Sequence, residues 1–213
     1  MSIDAIRDNY DHPPFTEAVA HADPIEQFRL WFEEAWRGNG RTPNAMTLAT
    51  CSKAGIPSAR TVLLKGFDQN GFVFFTNYQS DKASDLNENP LVALVFYWQS
   101  LARTVRISGT VTKVSREETD AYFKTRPRDS QLGAWASDQS TVIDSREVLH
   151  RQFDQVKEKY ADQDVPTPPN WGGYRVTPTT IEFWQGQTSR LHDRLRYTRT
   201  GDGQTWIRER LAP

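Results

Sequence analysis

Between residues 45 and 114 the chain runs through short apolar or β-branched segments broken by tight-turn signals. Ala45–Cys51 leads into Ser52-Lys53-Ala54-Gly55, and Pro57–Lys65 into Asp68-Gln69-Asn70-Gly71. The second of these is a hairpin signal in which Gly71 supplies a positive φ. Phe72–Asn77, Leu91–Trp98 and Arg103–Val114 complete the block. Strands of this length and spacing, joined by turns this tight, predict an antiparallel barrel. Closing strands are expected at Tyr174-Arg175-Val176, Ile181–Gln185, Arg190–Arg199 and Thr205–Arg210, and no internal repeat is visible.

Helices read as additions to this barrel. Asp23 caps a first helix, Pro24 takes its first position and Glu26 completes a capping box. Ile25, Phe28, Trp31, Phe32, Ala35 and Trp36 form one apolar face, and Gly38 and Gly40 end the helix. Ser80–Asn89 is a short helix closed by Pro90. Ser115 and Glu118 form a second capping box for a helix reaching about Thr125, which Arg126-Pro127 breaks. Asp129 and Ser130 are placed to cap a short helix through Trp135. Ser145–Tyr160 is amphipathic, with Val148, Leu149, Phe153 and Val156 inward, and a Pro-rich linker covers residues 162–170. Residues 1–22, polar and broken by Pro13 and Pro14, read as a flexible N-terminal arm or lid, leaving 23–213 as a single domain.

Only 37% of residues are hydrophobic, yet the chain has seven Trp, seven Tyr and eleven Phe. Its apolar surface therefore comes in a few large aromatic pieces, which suit a core or the pocket of a flat ligand. A net charge of −1 gives no global reason to bind nucleic acid or an anionic membrane. Any anion site is local. The single cysteine, Cys51, rules out an internal disulfide and reads as a buried, inert thiol. The first residues hold no apolar leader and no span reaches membrane length, so the expected location is cytoplasmic.

Four constellations carry chemistry. On a strand, Arg190, His192 and Arg194 would share one face, with forked cations flanking a group that titrates near neutrality. An anionic ligand suits that face better than a core does. Arg60 and Lys65 end an apolar strand but point to opposite faces by its period of two, and a strand with solvated ends is the plain alternative. Tyr122 and Arg126 share a helix face, and Ser130 follows where the next helix begins. This is a phosphate seat, or else a cap and a surface pair. Thr76 and Lys82, at a strand end before a helix, offer a similar seat or a solvated loop. No Gly-rich nucleotide loop, metal-ligand spacing or Gly-x-Ser-x-Gly elbow is present. Local phosphate seats without a nucleotide loop suggest phosphorylated small ligands, one of them flat.

Taken in order, Arg60-Thr61-Val62-Leu63-Leu64-Lys65, Phe75-Thr76-Asn77, Arg126-Pro127-Arg128-Asp129-Ser130-Gln131, Gly133-Ala134-Trp135, Gln139-Ser140, Trp171-Gly172-Gly173, Glu182-Phe183-Trp184-Gln185-Gly186, Arg190-Leu191-His192-Asp193-Arg194 and Arg210-Leu211-Ala212-Pro213 resemble the pyridoxamine 5′-phosphate oxidase family. The resemblance runs from about residue 23 to the end. It implies a mainly β fold with peripheral helices, the FMN-binding split β-barrel, as a homodimer with FMN at the subunit interface. It implies oxidation of phosphorylated B6 vitamers at the 4′ carbon to pyridoxal 5′-phosphate, with dioxygen reduced to hydrogen peroxide.

By the same resemblance Arg60 and Lys82 hold the FMN phosphate. Val62, Leu63, Leu64, Lys65, Phe75, Thr76, Gln139, Ser140, Trp184 and Arg194 line the flavin. Lys65, Tyr122, Arg126 and Ser130 seat the substrate phosphate, and Arg190 and His192 face the reacting ring as catalytic residues, with His192 a proton carrier. The chain departs from the family at Asp81, usually Arg, and at Thr104, usually Gln; Asp81 implies weaker FMN binding. Two other readings stay open: a related FMN oxidase of phenazine biosynthesis that shares the Arg-Leu-His end motif, and a non-catalytic flavin or pyridoxal phosphate binder. The Arg126–Ser130 segment argues against the first, and Arg190 with His192 against the second.

Overall fold

The computed structural model describes residues 10–38, 42–201, 203 and 205–213. Among these, nine strands form one antiparallel sheet: β1 (Ala45–Cys51), β2 (Pro57–Leu63), β3 (Gly66–Asp68), β4 (Gly71–Asn77), β5 (Leu91–Trp98), β6 (Arg103–Lys113), β7 (Trp171–Gln185), β8 (Asp193–Arg199) and β9 (Trp206–Arg210). The order is β2-β1-β5-β6-β7-β4-β3, with β8 and β9 branching from β7. The two closing strands expected at 174–176 and 181–185 are one 15-residue strand. One edge of β7 pairs with β6; the other is shared, residues 171–176 with β4 and 180–185 with β8. A register shift at Ser108/Gly109, opposite Pro178, lets the sheet curl there. A Cβ on Gly109 would lie 2.2 Å from the Thr177 carbonyl oxygen, so the close approach requires glycine.

The helices are α1 (Pro24–Arg37), α2 (Asp81–Glu88), α3 (Arg116–Lys124), α4 (Arg128–Ala136) and α5 (Arg146–Lys159). α1 starts as its sequence predicts: the Asp23 carboxylate accepts the Ile25 N–H at 2.8 Å. Its face closes the barrel, and fully buried Phe28 meets Phe32, Phe67, Phe72 and Phe96 with ring centroids 4.9–5.8 Å apart. Trp36, expected on that face, is 66% exposed, since the apolar stripe is narrower than six residues. A second, smaller core (Phe123, Leu132, Tyr160, Val165, Trp171) sits beneath α3 to α5. α5 contributes only the half-buried Phe153 and Val156 to it, and Leu149 stays exposed. The helix is therefore docked on two residues rather than the four expected.

Three local expectations change. α4 is capped by Pro127, not by Asp129 or Ser130; Ser130 lies inside the helix with its N–H on the Pro127 carbonyl. Cys51 is half-buried rather than buried. Arg190 to His192 are not strand: Thr188–Arg190 is a 3₁₀ turn, β8 begins only at Asp193, and Ser189 and Arg190 have φ of 55° and 60°. The face expected to unite Arg190, His192 and Arg194 by alternation does not exist. Residues 10–22, expected as a flexible arm, lie against the barrel: Phe15 and Ala20 are buried, and Tyr197 Oη donates to the His21 carbonyl. The rest of that expected arm, residues 1–9, lies outside the described residues. No helix among the described residues is long and apolar enough to cross a membrane.

Candidate functional site

A cleft of about 1000 Å³ opens between edge strand β2, strand β4 and helices α2 to α4. It gathers Arg60, Val62, Leu63, Lys65, Phe75, Thr76, Lys82, Tyr122, Arg126, Ser130, Gln139 and Ser140, twelve residues singled out in the sequence. Arg60 and Lys65 reach the same cleft because β2 stops at Leu63. Beyond it the alternation lapses, and Lys65 turns toward β4 with its N–H on the Val73 carbonyl at 2.8 Å. Leu64 is the exception in this segment. It is buried in the core and does not line the cleft.

At one end lie Arg60 and Lys82. Arg60 is braced by Thr50 Oγ1 at 2.7 Å and the Leu48 carbonyl at 3.2 Å, with the Asp85 carboxylate 3.9 Å away. Lys82 donates to Ser80 Oγ at 3.0 Å and to Gln139 Oε1 at 2.8 Å, and Gln139 Oε1 also accepts from Thr76 Oγ1. Burial lowers the Lys82 pKa, and the neighbouring Arg60 charge lowers it further. Both causes describe a cation short of a counterion, which an anionic guest would supply. Asp81 opposes this locally, as it lines the same end of the cleft and its N–H donates to Ser140 Oγ at 3.3 Å.

The second cluster is built on stacked rings. Phe75, Tyr122 and Trp171 form a triangle of nearly parallel rings, with centroids 4.1, 5.3 and 6.2 Å apart. The Arg126 guanidinium sits 4.6 Å over Trp171 and 5.5 Å from Phe123, and Lys65 Nζ lies 6.0 Å from the Tyr122 ring. Arg126 Nη1 is buried with no acceptor, and burial lowers the pKa of this side chain. A half-buried guanidinium whose one fully buried N–H is unused is costly unless a ligand oxygen completes it. Trp171 was not assigned a role from the sequence, although Gly172-Gly173 after it is a readable signal: a Cβ at Gly173 would lie 2.8 Å from the Phe75 ring.

The other four singled-out residues, Trp184, Arg190, His192 and Arg194, do not line the cleft. They group on β7, on β8 and on the turn between them. His192 packs 4.7 Å from the Trp184 ring, and Tyr10 closes edge-on over both at 5.9 Å. Tyr10 has no role legible in the sequence, because an aromatic in an aperiodic segment carries no partner signal. His192 Nδ1 accepts the Gln187 N–H at 3.0 Å, so the neutral ring carries its proton on Nε2. Burial, and then the Arg190 charge, lower its pKa, which keeps it neutral near pH 7. The neutral ring therefore offers a donor rather than a base at Nε2. Arg194 Nε donates to buried Glu182 at 2.9 Å, and its Nη1 to the Ala212 carbonyl at 2.7 Å. Burial raises the Glu182 pKa, but its bonds from Arg194 and Arg106 outweigh that and lower it.

Family models match two stretches. "Pyridoxamine 5′-phosphate oxidase" covers residues 32–160, and "Pyridoxine 5′-phosphate oxidase C-terminal dimerisation region" covers residues 171–213. A pyridoxine/pyridoxamine 5′-phosphate oxidase of Gloeothece citriformis is 57% identical over 100% of this chain and 99% of its own, and that of Acaryochloris marina is 58% identical over 100% and 96%. Among solved structures, PhzG from Burkholderia lata in complex with tetrahydrophenazine-1-carboxylic acid aligns with a TM-score of 0.88 and 30% identity, over 94% of this chain and 98% of that one. A pyridoxamine 5′-phosphate oxidase-related, FMN-binding protein of Nostoc punctiforme shares the fold, with a TM-score of 0.72 and 18% identity over 90% of this chain and 98% of that one.

Proposed function

This chain belongs to the pyridoxamine 5′-phosphate oxidase family, FMN-dependent oxidases, and from that premise we propose that it oxidises pyridoxamine and pyridoxine 5′-phosphates to pyridoxal 5′-phosphate. Dioxygen is the proposed acceptor, hydrogen peroxide a product, with ammonia from the amine, and the proposed setting is the cytoplasm. The single observation that carries the substrate choice is the buried, unpartnered Arg126 Nη1 beside Lys65 and Ser130 in the cleft. A phosphate oxygen suits it. A substrate without phosphate, as in the phenazine reading, would leave it unsatisfied.

FMN fits the residues present: Lys82 is half-buried beside the Arg60 charge, and Thr76, Gln139 and Ser140 add polar groups beside them. When bound, FMN supplies the two-electron acceptor. The chain's own residues bind and orient. Lys65, Tyr122, Arg126 and Ser130 hold the substrate phosphate, so that remote binding energy fixes the reacting carbon. Arg190 stabilises developing negative charge, and His192 donates from Nε2 to the ring substituent.

A homodimer completes the site in this proposal. Trp171 and Trp184 are both on β7, thirteen residues apart, or roughly 40 Å along an extended strand. The phosphate cluster and the Trp184–Arg190–His192–Arg194 cluster therefore belong to opposite ends of one strand, and a second copy brings one against the other. The matched dimerisation region, residues 171–213, contains the second cluster.

The test is an anaerobic titration. The purified protein should show a flavin spectrum that bleaches on adding pyridoxamine 5′-phosphate and returns with air; a persistent yellow colour would favour the non-catalytic binder. Asp81→Asn should tighten FMN binding by roughly three- to tenfold, because it removes a negative charge beside a phosphate seat, at a cost of about 0.3–1 kcal/mol from the α2 N-terminus. Fluorescence titration of the apoprotein measures the first effect and denaturant unfolding the second. Equal FMN affinity in both proteins would show that Asp81 does not face the phosphate.

A further inference from the structure

The C-terminal Arg210 makes a contact set that the oxidase reading leaves unused. Its Nε and Nη2 donate to the two carboxylate oxygens of Glu17, each at 2.8 Å, and its Nη1 donates to Asp193 Oδ1 at 2.7 Å. Nη2 also reaches the Phe15 carbonyl at 3.2 Å, while the other Asp193 oxygen accepts the Phe15 N–H at 2.9 Å. One guanidinium thus ties the N-terminal arm to the residue directly after His192. Flanking bonds extend the seam: Gln187 Nε2 donates to the Pro13 carbonyl at 3.2 Å, and the Leu211 N–H donates to the Arg194 carbonyl at 2.9 Å. At the far end of this stretch Tyr10 rests on Trp184 and His192.

The segment so fastened is the one most in need of support. Ser189 and Arg190 both hold left-handed backbone without being glycine, and such conformations persist only where the surroundings over-determine them. Sheet pairing does not fix them, because β7 ends at Gln185 and β8 begins at Asp193. The arm and the Arg210 fork instead hold its two ends, at Gln187 on one side and at His192 and Asp193 on the other, while Thr188–Leu191 stay exposed.

We propose that Glu17 and Arg210 are positioning residues for the reaction: their bidentate pair, with Asp193, clasps the arm across the β7–β8 turn and so sets the placement of Arg190 and His192. The clasp is fastened throughout the neutral range. The Arg210 hydrogen bond lowers the Glu17 pKa to about 2, so the pair lets go only in strong acid. A depressed carboxylate pKa contributes above the unfolded value and is lost as pH falls through the folded one.

The kinetic half of this proposal rests on the oxidase reading. The experiment uses the full-length, FMN-loaded enzyme with Glu17→Gln, Glu17→Ala and Arg210→Lys. Hydrogen exchange of peptides spanning 10–22 and 186–194 should speed up by roughly tenfold or more as the local opening becomes easier. In the same variants kcat/KM for pyridoxamine 5′-phosphate should fall by roughly ten- to a hundredfold, the scale of a small misplacement of catalytic groups. FMN affinity should be unchanged, since Arg60 and Lys82 are untouched. Glu17→Gln, which keeps an acceptor, should fall between wild type and Glu17→Ala in both measurements. Faster exchange with unaltered kinetics would reduce the clasp to a tether and overturn the proposal. So would a kinetic loss without faster exchange. A wild-type protein inert toward every B6 vitamer would instead sink the oxidase reading, and the exchange data alone would then decide the clasp.

Discussion

Arg190→Ala is expected to lower kcat by roughly 10²–10³, the usual scale for removing a group that stabilises charge in the transition state. Flavin content should be close to that of the unaltered enzyme. The reasoning is spatial. Arg190 stands on a turn away from the Arg60–Lys82 end of the cleft, so its loss leaves the proposed cofactor phosphate seat whole. The measurement is a comparison of turnover with the flavin-to-protein absorbance ratio of the purified variant. A colourless protein would make Arg190 a cofactor ligand instead.

Arg126→Ala should act on the other term. A hydrogen-bonded, charge-assisted contact is worth about 1.5–3 kcal/mol, so KM for the phosphorylated substrate should rise by roughly 10- to 100-fold with a smaller change in kcat. Stability should change far less than in a typical buried truncation. Arg126 Nη1 has no acceptor in the protein, so its removal relieves an unmet donor while losing the stack on Trp171. The ligand-free variant should therefore unfold within about 1 kcal/mol of the parent, far from the loss a packed side chain would give. Steady-state kinetics and denaturant melts separate the two effects, and an unchanged KM would remove the phosphate from this seat.

The strands were legible because their alternation and their turns agree. Ala45–Cys51 and Leu91–Trp98 match residue for residue, and Gly71 takes the positive φ that Asp68-Gln69-Asn70-Gly71 requires. Failures came where geometry depends on distant contacts. Nothing in Ser189-Arg190 announces left-handed backbone, because neither residue is glycine or asparagine. Lys65 was misjudged by carrying a period of two past the end of its strand. The cleft was legible mainly through ordered motifs, since residues from β2, β4, α2, α3 and α4 meet there and spacing alone could not pair them. Tyr10 and Trp171 escaped assignment because their meaning lies in which rings they touch.

The length of β7 has a genetic consequence. In the proposed assembly each subunit carries a half-site at either end of that strand, and every complete site draws one half from each copy. Damage to Arg126 and damage to Arg190 would then fall on different halves. Co-expressing the two defective alleles should yield mixed dimers in which one site inherits both lesions and the other inherits neither. Two impaired parents would complement, and the activity recovered at limiting substrate would count the hybrids.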